Sequence, residues 1–198
     1  MKHYDVKKIA NTIIYFIDNN VKSLGITKLM KLFFYADKYH LEKYGKPIFN
    51  HTYTKLPRGP VPTWLYSIIR TAISGASDFD FQSEVEVFNK YIGVQEKNDG
   101  EFTRIEFIKK QQFDQKFFSK SQINILNQII NEFKNITATD ISEKSHNTKA
   151  WRSVEANQQI PYSSMIDNPE ISEYINFVQA EKTSFSKNFQ KYKLEKAS

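Results

Sequence analysis

Residues 26–62 read ITKLMKLFFYADKYHLEKYGKPIFNHTYTKLPRGPVP, and this stretch decides how the chain folds. Its first half predicts a helix with Thr27 as N-cap and an apolar stripe at three- and four-residue steps: Leu29, Leu32, Phe33, Ala36, His40 and Leu41. Gly45 is expected to end this helix, because Pro47 prevents its continuation. The segment around Gly59 predicts a stiff Gly-Pro loop, with Pro62 opening the next helix.

The rest of the chain alternates between helical and extended patterns. Helical spacing is found at residues 5–19, 62–73, 119–135 and 169–180, and in a shorter segment that starts at Thr137 or Thr139. Ser119 or Ser121 is expected to cap the 119–135 helix. Alternation at residues 84–88, 91–95 and 102–107, with Asp99-Gly100 before the last, indicates strands and a hairpin. The prediction is an α+β fold, predominantly helical, with a small inserted antiparallel β-sheet at about residues 84–109.

Composition limits the cellular setting. The chain has 198 residues, enough for one domain with a core, and no cysteine, which excludes disulfides and thiolate metal sites. No apolar run reaches the length of a membrane span. Asp5 lies where a signal peptide would be apolar, and no small-residue cleavage site follows. We therefore expect a cytoplasmic protein with no membrane partner.

The chain has a net positive charge, and most of its basic residues are lysines. The formal net charge is +6 and the pI is about 9.2, while the arginines are only Arg58, Arg70, Arg104 and Arg152. Specific base or phosphate recognition relies on arginine forks, and no nucleic-acid-binding motif is present. The charge is therefore interpreted as solubility and steering toward an acidic partner, and non-specific nucleic-acid binding stays an alternative.

The last segment, residues 180–198, has a net charge of +3 from five lysines and two glutamates. Phe185, Phe189 and Tyr192 recur there at helical spacing. They fit two interpretations about equally: a helix packed on its own core, or an amphipathic arm that docks on a partner. The expected division is a domain at 1–180 and a basic helical or flexible tail at 181–198.

Candidate catalytic chemistry is sparse. The one credible metal set is Asp37, His40, His51 and His146, since Asp-x-x-His can supply two ligands from one helix face. With no cysteine and no His-Glu-x-x-His, we favour a buried Asp37–His40 hydrogen-bonded pair that fixes the helix against the Gly-Pro loop. No nucleophile elbow and no phosphate loop exist. We expect no enzyme activity, no cofactor and no metal; a metal-dependent hydrolase using Asp37, His40 and His146 is the runner-up.

Two motifs carry a family resemblance. The first, K-L-x-K-L-x-[YF]-[YF]-A-D-x-x-H-L, spans Lys28–Leu41 and is followed by Y-G-x-P-I at 44–48, by Tyr53 and by G-P-V-P at 59–62. The second, S-x-x-[ST]-H-x-x-x-x-W, spans Ser142–Trp151. Together they resemble the Panacea, or SocA-like, antitoxin domain family. The resemblance implies a bacterial or phage-associated antitoxin that neutralises a cognate protein toxin by direct binding. One branch of the family acts as an adaptor that delivers its toxin to a protease.

The resemblance also suggests a binding surface. Because polar motif residues come from three distant segments, we expect them to converge on one exposed patch that binds the toxin. The expected partner-binding residues are Lys31, Asp37, His40, Tyr53, Arg58, Gly59, Pro60, His146, Trp151, Phe185 and Phe189. Trp64 is expected either near this interface or in the core. The sequence leaves homodimerisation and a protease partner open.

Overall fold

The computed structural model describes residues 4–75, 81–99, 102–178, 180–181 and 184–185. The helices are α1 Val6–Asp18, α2 Ile26–Tyr44, α3 Thr63–Ser74, α4 Gln82–Tyr91, α5 Lys120–Phe133, α6 Ala138–His146 and α7 Lys149–Arg152. The strands are β1 Tyr53–Leu56, β2 Gly59–Pro62, β3 Ile92–Asp99, β4 Phe102–Lys109 and β5 Gln159–Ile160. Short 3-10 helices span Gln115–Phe117 and Tyr162–Met165, and residues 169–178 are helical. The predicted fold class, a predominantly helical α+β fold, is confirmed.

Helix α2 lies at the centre and packs against α5, α6 and β2. Its apolar side chains are fully buried around most of its circumference rather than on one stripe, because neighbours cover it on several sides. Gly45 ends it as predicted, with φ of 69° and its N–H bonded to Leu41 O. The predicted N-cap at Thr27 is wrong. The helix begins at Ile26, because the extended backbone of Gly25 accepts the first helical bond from Leu29 N.

The Gly-Pro segment predicted as a loop is strand β2. It pairs antiparallel with β1, from Tyr53 opposite Pro62 to Leu56 opposite Gly59, and β1 pairs on its other side with β5. Prolines cannot donate a ladder hydrogen bond, so they are tolerated only at a sheet edge, and β2 is such an edge. Sequence reasoning missed β2, because the two prolines of Gly59–Pro62 argued against a strand.

The inserted sheet is smaller than predicted. Residues 84–88, which we expected as a strand, belong to helix α4, which packs against α1 and α3 and buries Phe88 completely. A five-residue alternating run also fits one turn of a helix, and packing decided between them. The β3–β4 hairpin is confirmed, with Ile92 opposite Lys109 and Asp99 opposite Phe102; Gly100 of its turn lies outside the described residues.

Two helix starts agree with the capping signals. Ser119 forms a capping box with Gln122 at the start of α5, and Thr137 forms one with Asp140 at the start of α6. Among the residues that the structure describes, none of the helices combines the length and the apolar character that crossing a membrane requires.

Lys28 links two of the connections between helices. Its buried Nζ donates to Lys22 O at 2.7 Å, Lys134 O at 3.1 Å and Ile136 O at 2.7 Å, so one ammonium ties the α1–α2 connection to the α5–α6 connection. Burial lowers the pKa of Lys28, but all three of its protons have an acceptor.

We predict that Lys28→Met lowers the free energy of unfolding by about 3 kcal/mol, because three carbonyls lose the ammonium as donor, although Lys134 O keeps its bond from Lys22 N. Urea denaturation at pH 7 measures it. The exposed Lys120→Met serves as control and should stay within about 0.5 kcal/mol of wild type. Equal denaturation midpoints for both variants would contradict the assignment.

Candidate partner-binding site

A two-residue connection between β1 and β2 projects from the surface. We call Leu56, Pro57, Arg58 and Gly59 the 56–59 turn; Pro57 and Arg58 at its tip are exposed. Three separate segments hold this turn from behind. Lys31 Nζ donates to Pro60 O at 2.9 Å, Ser142 Oγ donates to Arg58 O at 3.0 Å and Trp151 Nε1 donates to Leu56 O at 3.4 Å.

Gly59 makes the close approach of these segments possible. Its φ is 101°, a region that favours glycine, and it is buried. A Cβ at this position would collide with Ser145 Oγ and lie 2.7 Å from Lys31 Cε. Lys31 of the first motif and Ser145 of the second therefore both lie against the backbone of residue 59, which leaves room only for a glycine.

His146 and Trp151 form a stacked pair beside the turn. Their ring centroids are 4.2 Å apart. Lys55 Nζ lies 4.2 Å from the centroid of the Trp151 ring and makes a cation–π contact with it. Burial lowers the pKa of His146, which favours a neutral ring. Its buried Nε2 has no hydrogen-bond partner within the described part of the chain. Both rings are partly buried and border the exposed turn.

Lys31 lies directly under the turn. It is 1% exposed, and its ammonium donates one hydrogen bond, to Pro60 O. Burial without a nearby acid lowers the pKa of Lys31 to about 7. Lys31 thus supports the turn from below instead of projecting into solvent.

Asp37 is sealed in the interior. Its carboxylate accepts hydrogen bonds from Phe49 N at 2.7 Å, His51 N at 3.3 Å, Tyr53 Oη at 2.9 Å and Tyr162 Oη at 3.3 Å. Burial raises the pKa of Asp37, and the hydrogen bonds oppose that shift. The carboxylate fastens the segment before β1, β1 itself and the 3-10 helix at Tyr162–Met165 to α2.

His40 has different partners. Its Nδ1 lies 2.5 Å from Lys46 O and its Nε2 lies 3.2 Å from Ser121 Oγ, near the C-terminal end of α2. The predicted Asp37–His40 pair is therefore wrong: the two side chains face separate sets of partners. Within the described ranges, no group of three or more His, Cys, Asp or Glu residues is arranged to hold a metal ion.

The expected single exposed patch needs correction. Arg58, Gly59, Pro60, Lys31, His146 and Trp151 do meet at the turn, whereas Asp37, His40 and Tyr53 are buried with 0% exposure. Trp64 is half-buried and stacks on Tyr4, with ring centroids 4.5 Å apart. Phe185 is 73% exposed, and Phe189 lies outside the described residues.

A groove of about 430 Å³ opens beside the turn. Its lining residues come from the start of α2, the turn, β2 and α3: Ile26, Thr27, Met30, Lys31, Leu56, Pro57, Arg58, Val61, Tyr66 and Arg70. Sequence reasoning missed Tyr66 and Arg70. The signal was available, because Leu65, Ile68 and Ile69 mark the buried face of α3 and leave Tyr66 and Arg70, four residues apart, on its exposed face.

A larger depression of about 690 Å³ lies along α5 and is lined by Lys43, Asn124, Asn127, Gln128, Asn131 and Glu132. It is shallow and open, and it contains none of the motif residues. Its amide side chains point to an ordinary solvated helix face, so the groove beside the turn is the better candidate site.

We predict that Gly59→Ala lowers the free energy of unfolding by about 3 kcal/mol, through backbone strain and the collision with Ser145. Gly45→Ala is the matched control, since Gly45 also has a positive φ but has open space around its Cα. The control should lose only about 1 kcal/mol. Equal losses in thermal or urea unfolding would contradict the close approach.

We predict that Asp37→Asn lowers the free energy of unfolding at pH 7 by about 3 kcal/mol, because an amide cannot accept from four donors. A raised folded pKa means that the native state holds the proton more tightly than the unfolded chain. The stability advantage of the wild-type protein over the Asp37→Asn variant should thus decline as pH rises from the ordinary pKa of 3.8 through the raised value. Urea unfolding of both proteins between pH 4 and 7 checks this, and a difference that grows with pH would contradict it.

A comparison with protein-family models gives a match over most of the motif-bearing part of the chain. A family described as "Antitoxin SocA-like, Panacea domain" matches residues 29–152. That range runs from the first turn of α2 to the end of α7, so it includes all three segments that hold the 56–59 turn. No curated protein and no solved structure gave a match. Because the matched range covers more than half of the 198 residues, this chain belongs to the SocA-like, Panacea domain antitoxin family.

Proposed function

We propose that this protein is the antitoxin of a bacterial or phage toxin–antitoxin system and neutralises a cognate protein toxin by direct binding. Family membership supports the antitoxin role. The observation that carries the binding site is the 56–59 turn, which is exposed at Arg58 and fixed from behind by Lys31, Ser142 and Trp151.

A turn held in this way suits protein recognition. A surface that is already ordered loses little conformational entropy on binding, so its contacts contribute more fully to affinity. Arginine and tryptophan are enriched among residues that dominate binding energy. Arg58 is exposed at the tip of the turn, and Trp151 donates a hydrogen bond to Leu56 O in the same turn. Lys31, Gly59 and Pro60 act by holding the turn, and Asp37 and Tyr53 act by fixing α2 and β1 beneath it. His40 acts further away, by fixing the C-terminal end of α2 to Lys46 and Ser121.

The net charge of +6 favours an acidic toxin, because opposite charge speeds encounter and fixes orientation. The proposal assigns no catalytic step and needs no metal or cofactor. Occlusion of the toxin's active surface is one route by which such binding neutralises it. Delivery of the toxin to a protease is the alternative route that the family resemblance implies.

The test first looks for a small open reading frame beside the gene for this chain and takes its product as the candidate toxin. We predict that its expression alone stops growth, that co-expression of this chain restores growth, and that the two purified proteins form a complex in calorimetry. Arg58→Glu should weaken the complex by at least about tenfold, because it removes a cationic anchor at the exposed tip.

Lys120→Glu is the matched control. It reverses a charge of the same sign at an exposed position beside Ser121, near the opposite end of α2, and should leave affinity unchanged. Three results would contradict the proposal: growth arrest that co-expression of this chain does not relieve, rescue of growth without a detectable complex, or equal toxin affinity of the Arg58→Glu variant and the wild type. Immunoblots separate the two routes, since the toxin persists under occlusion and disappears under proteolytic delivery.

A further inference from the structure

The groove beside the 56–59 turn combines an apolar floor with positive charge. Ile26, Met30, Leu56 and Val61 supply the apolar contacts, and Tyr66 stands at the rim with 38% exposure. Besides the Tyr66 phenol, the lining contains three ionisable side chains, and all three are basic. No acidic residue in the described ranges lines the groove.

The three cations are Lys31 below and Arg58 and Arg70 at the exposed rim. Within the described part of the chain, none of them forms an ion pair with a carboxylate. The groove also takes two of the four arginines of the chain, although lysine outnumbers arginine throughout the sequence. Arginine is the side chain best suited to paired hydrogen bonds with a carboxylate.

Lys31 is the least satisfied of the three. It is 1% exposed and donates to Pro60 O, although an ammonium carries three protons. A buried cation without a counter-ion is unfavourable, which is the reason its pKa falls to about 7. An anion placed in the groove would relieve this cost.

The start of α2 adds to the positive potential. Its N-cap is Gly25, which offers no side-chain cap, and its first turn contains no acidic residue. Ile26 and Thr27 of that turn line the groove. The positive end of the helix dipole therefore lies next to the three cations.

We propose that this groove receives an acidic side chain carried on an apolar segment of the toxin, with its carboxylate paired to Lys31, Arg58 and Arg70. The inference rests on the proposed function and adds the chemistry of the segment that is recognised. Apolar residues flanking the carboxylate fill the floor, and the charge pair fixes the register.

Charge argues against the other occupants. The C-terminal segment of this chain has a net charge of +3 and a second copy has +6, so long-range charge disfavours the approach of either to the groove. A nucleic acid would satisfy the cations, but a backbone of phosphates and sugars leaves the four apolar side chains of the floor without contacts.

The first test changes the groove in the purified toxin complex. Arg70→Glu should weaken binding by at least about tenfold, and Lys31→Met by at least about thirtyfold, since Lys31 is the buried partner of the pair. Lys120→Glu should bind as wild type does. An acid-to-amide scan of the toxin should reveal one position whose loss weakens binding to wild type but has little further effect on the Lys31→Met variant.

The second test follows affinity with pH in the wild-type complex. Free Lys31 loses its proton near pH 7, whereas pairing with a carboxylate raises its pKa, so binding takes up a proton above pH 7. The dissociation constant should increase between pH 7 and 9 by about tenfold or more, and the Lys31→Met variant should lack this dependence. The Lys31→Met variant separates this effect from the other ionisable groups around Lys31, because it retains His146 on α6 and also Arg58, Tyr66 and Arg70 of the groove.

The outcomes separate the two proposals. No complex with the wild-type chain defeats the proposed function itself. A tight complex that is indifferent to Arg70→Glu, independent of pH between 7 and 9, and without a coupled acidic position defeats the groove assignment and leaves the antitoxin role intact. If the Lys31→Met variant does not fold, the toxin affinity of the Arg70→Glu variant and the pH dependence of the wild-type complex still test the groove assignment. Displacement of the toxin by random-sequence DNA would favour nucleic acid as the occupant and overturn the assignment.

Discussion

The hydrogen bond from Lys31 Nζ to Pro60 O is the contact on which the candidate site depends. It joins the central helix to the edge strand at a point that is closed to solvent, where a carbonyl without a donor would be costly. Everything else at the site is arranged around it. Gly59 must lack a side chain so that Lys31 and Ser145 can lie against the backbone, and Arg58 then stands on a firmly held base.

A second buried polar group fixes the geometry one turn and a half further along α2. Asp37 gathers two backbone N–H groups and two phenols from the segment before β1, from β1 and from the 3-10 helix at Tyr162–Met165. Lys31 therefore fixes the turn, and the Asp37 carboxylate fixes the strand that leads to it. Both are buried polar residues that a folded chain tolerates only with partners, and both lie within the residues 29–152 that match the family.

Local signals in the sequence were enough for most of the helices. The apolar spacing of α1, α2 and α5, the capping residues Ser119 and Thr137, and Gly45 at the end of α2 all correspond to features of the structure. The errors occurred where local and tertiary preferences compete. Residues 84–88 alternate like a strand, yet burial of Phe88 against neighbouring helices makes them helical. The Gly59–Pro62 segment has the prolines of a loop, yet pairing with β1 makes it a strand.

The site was foreseen in part. The motif positions indicated that the Gly-Pro segment, Lys31 and the Ser142–Trp151 element belong together, and they do meet. Spacing on a helix could not tell which polar residues face inward, so Asp37 and His40 were expected at a surface that they do not reach. Tyr66 and Arg70 were overlooked because they belong to neither motif, although both line the groove.

The prolines of β2 have a consequence for how another protein can approach. Pro60 and Pro62 have no N–H, and their nitrogens cannot face β1, so this edge of the sheet offers an incoming strand no donors at these two positions. The outward carbonyl of Pro60 is already taken by Lys31. Strand addition, the commonest way for a sheet edge to recruit a foreign chain or to aggregate, is therefore blocked here. A partner that lands on this side has to be recognised by side chains, which ties its selection to chemical identity instead of to backbone pairing.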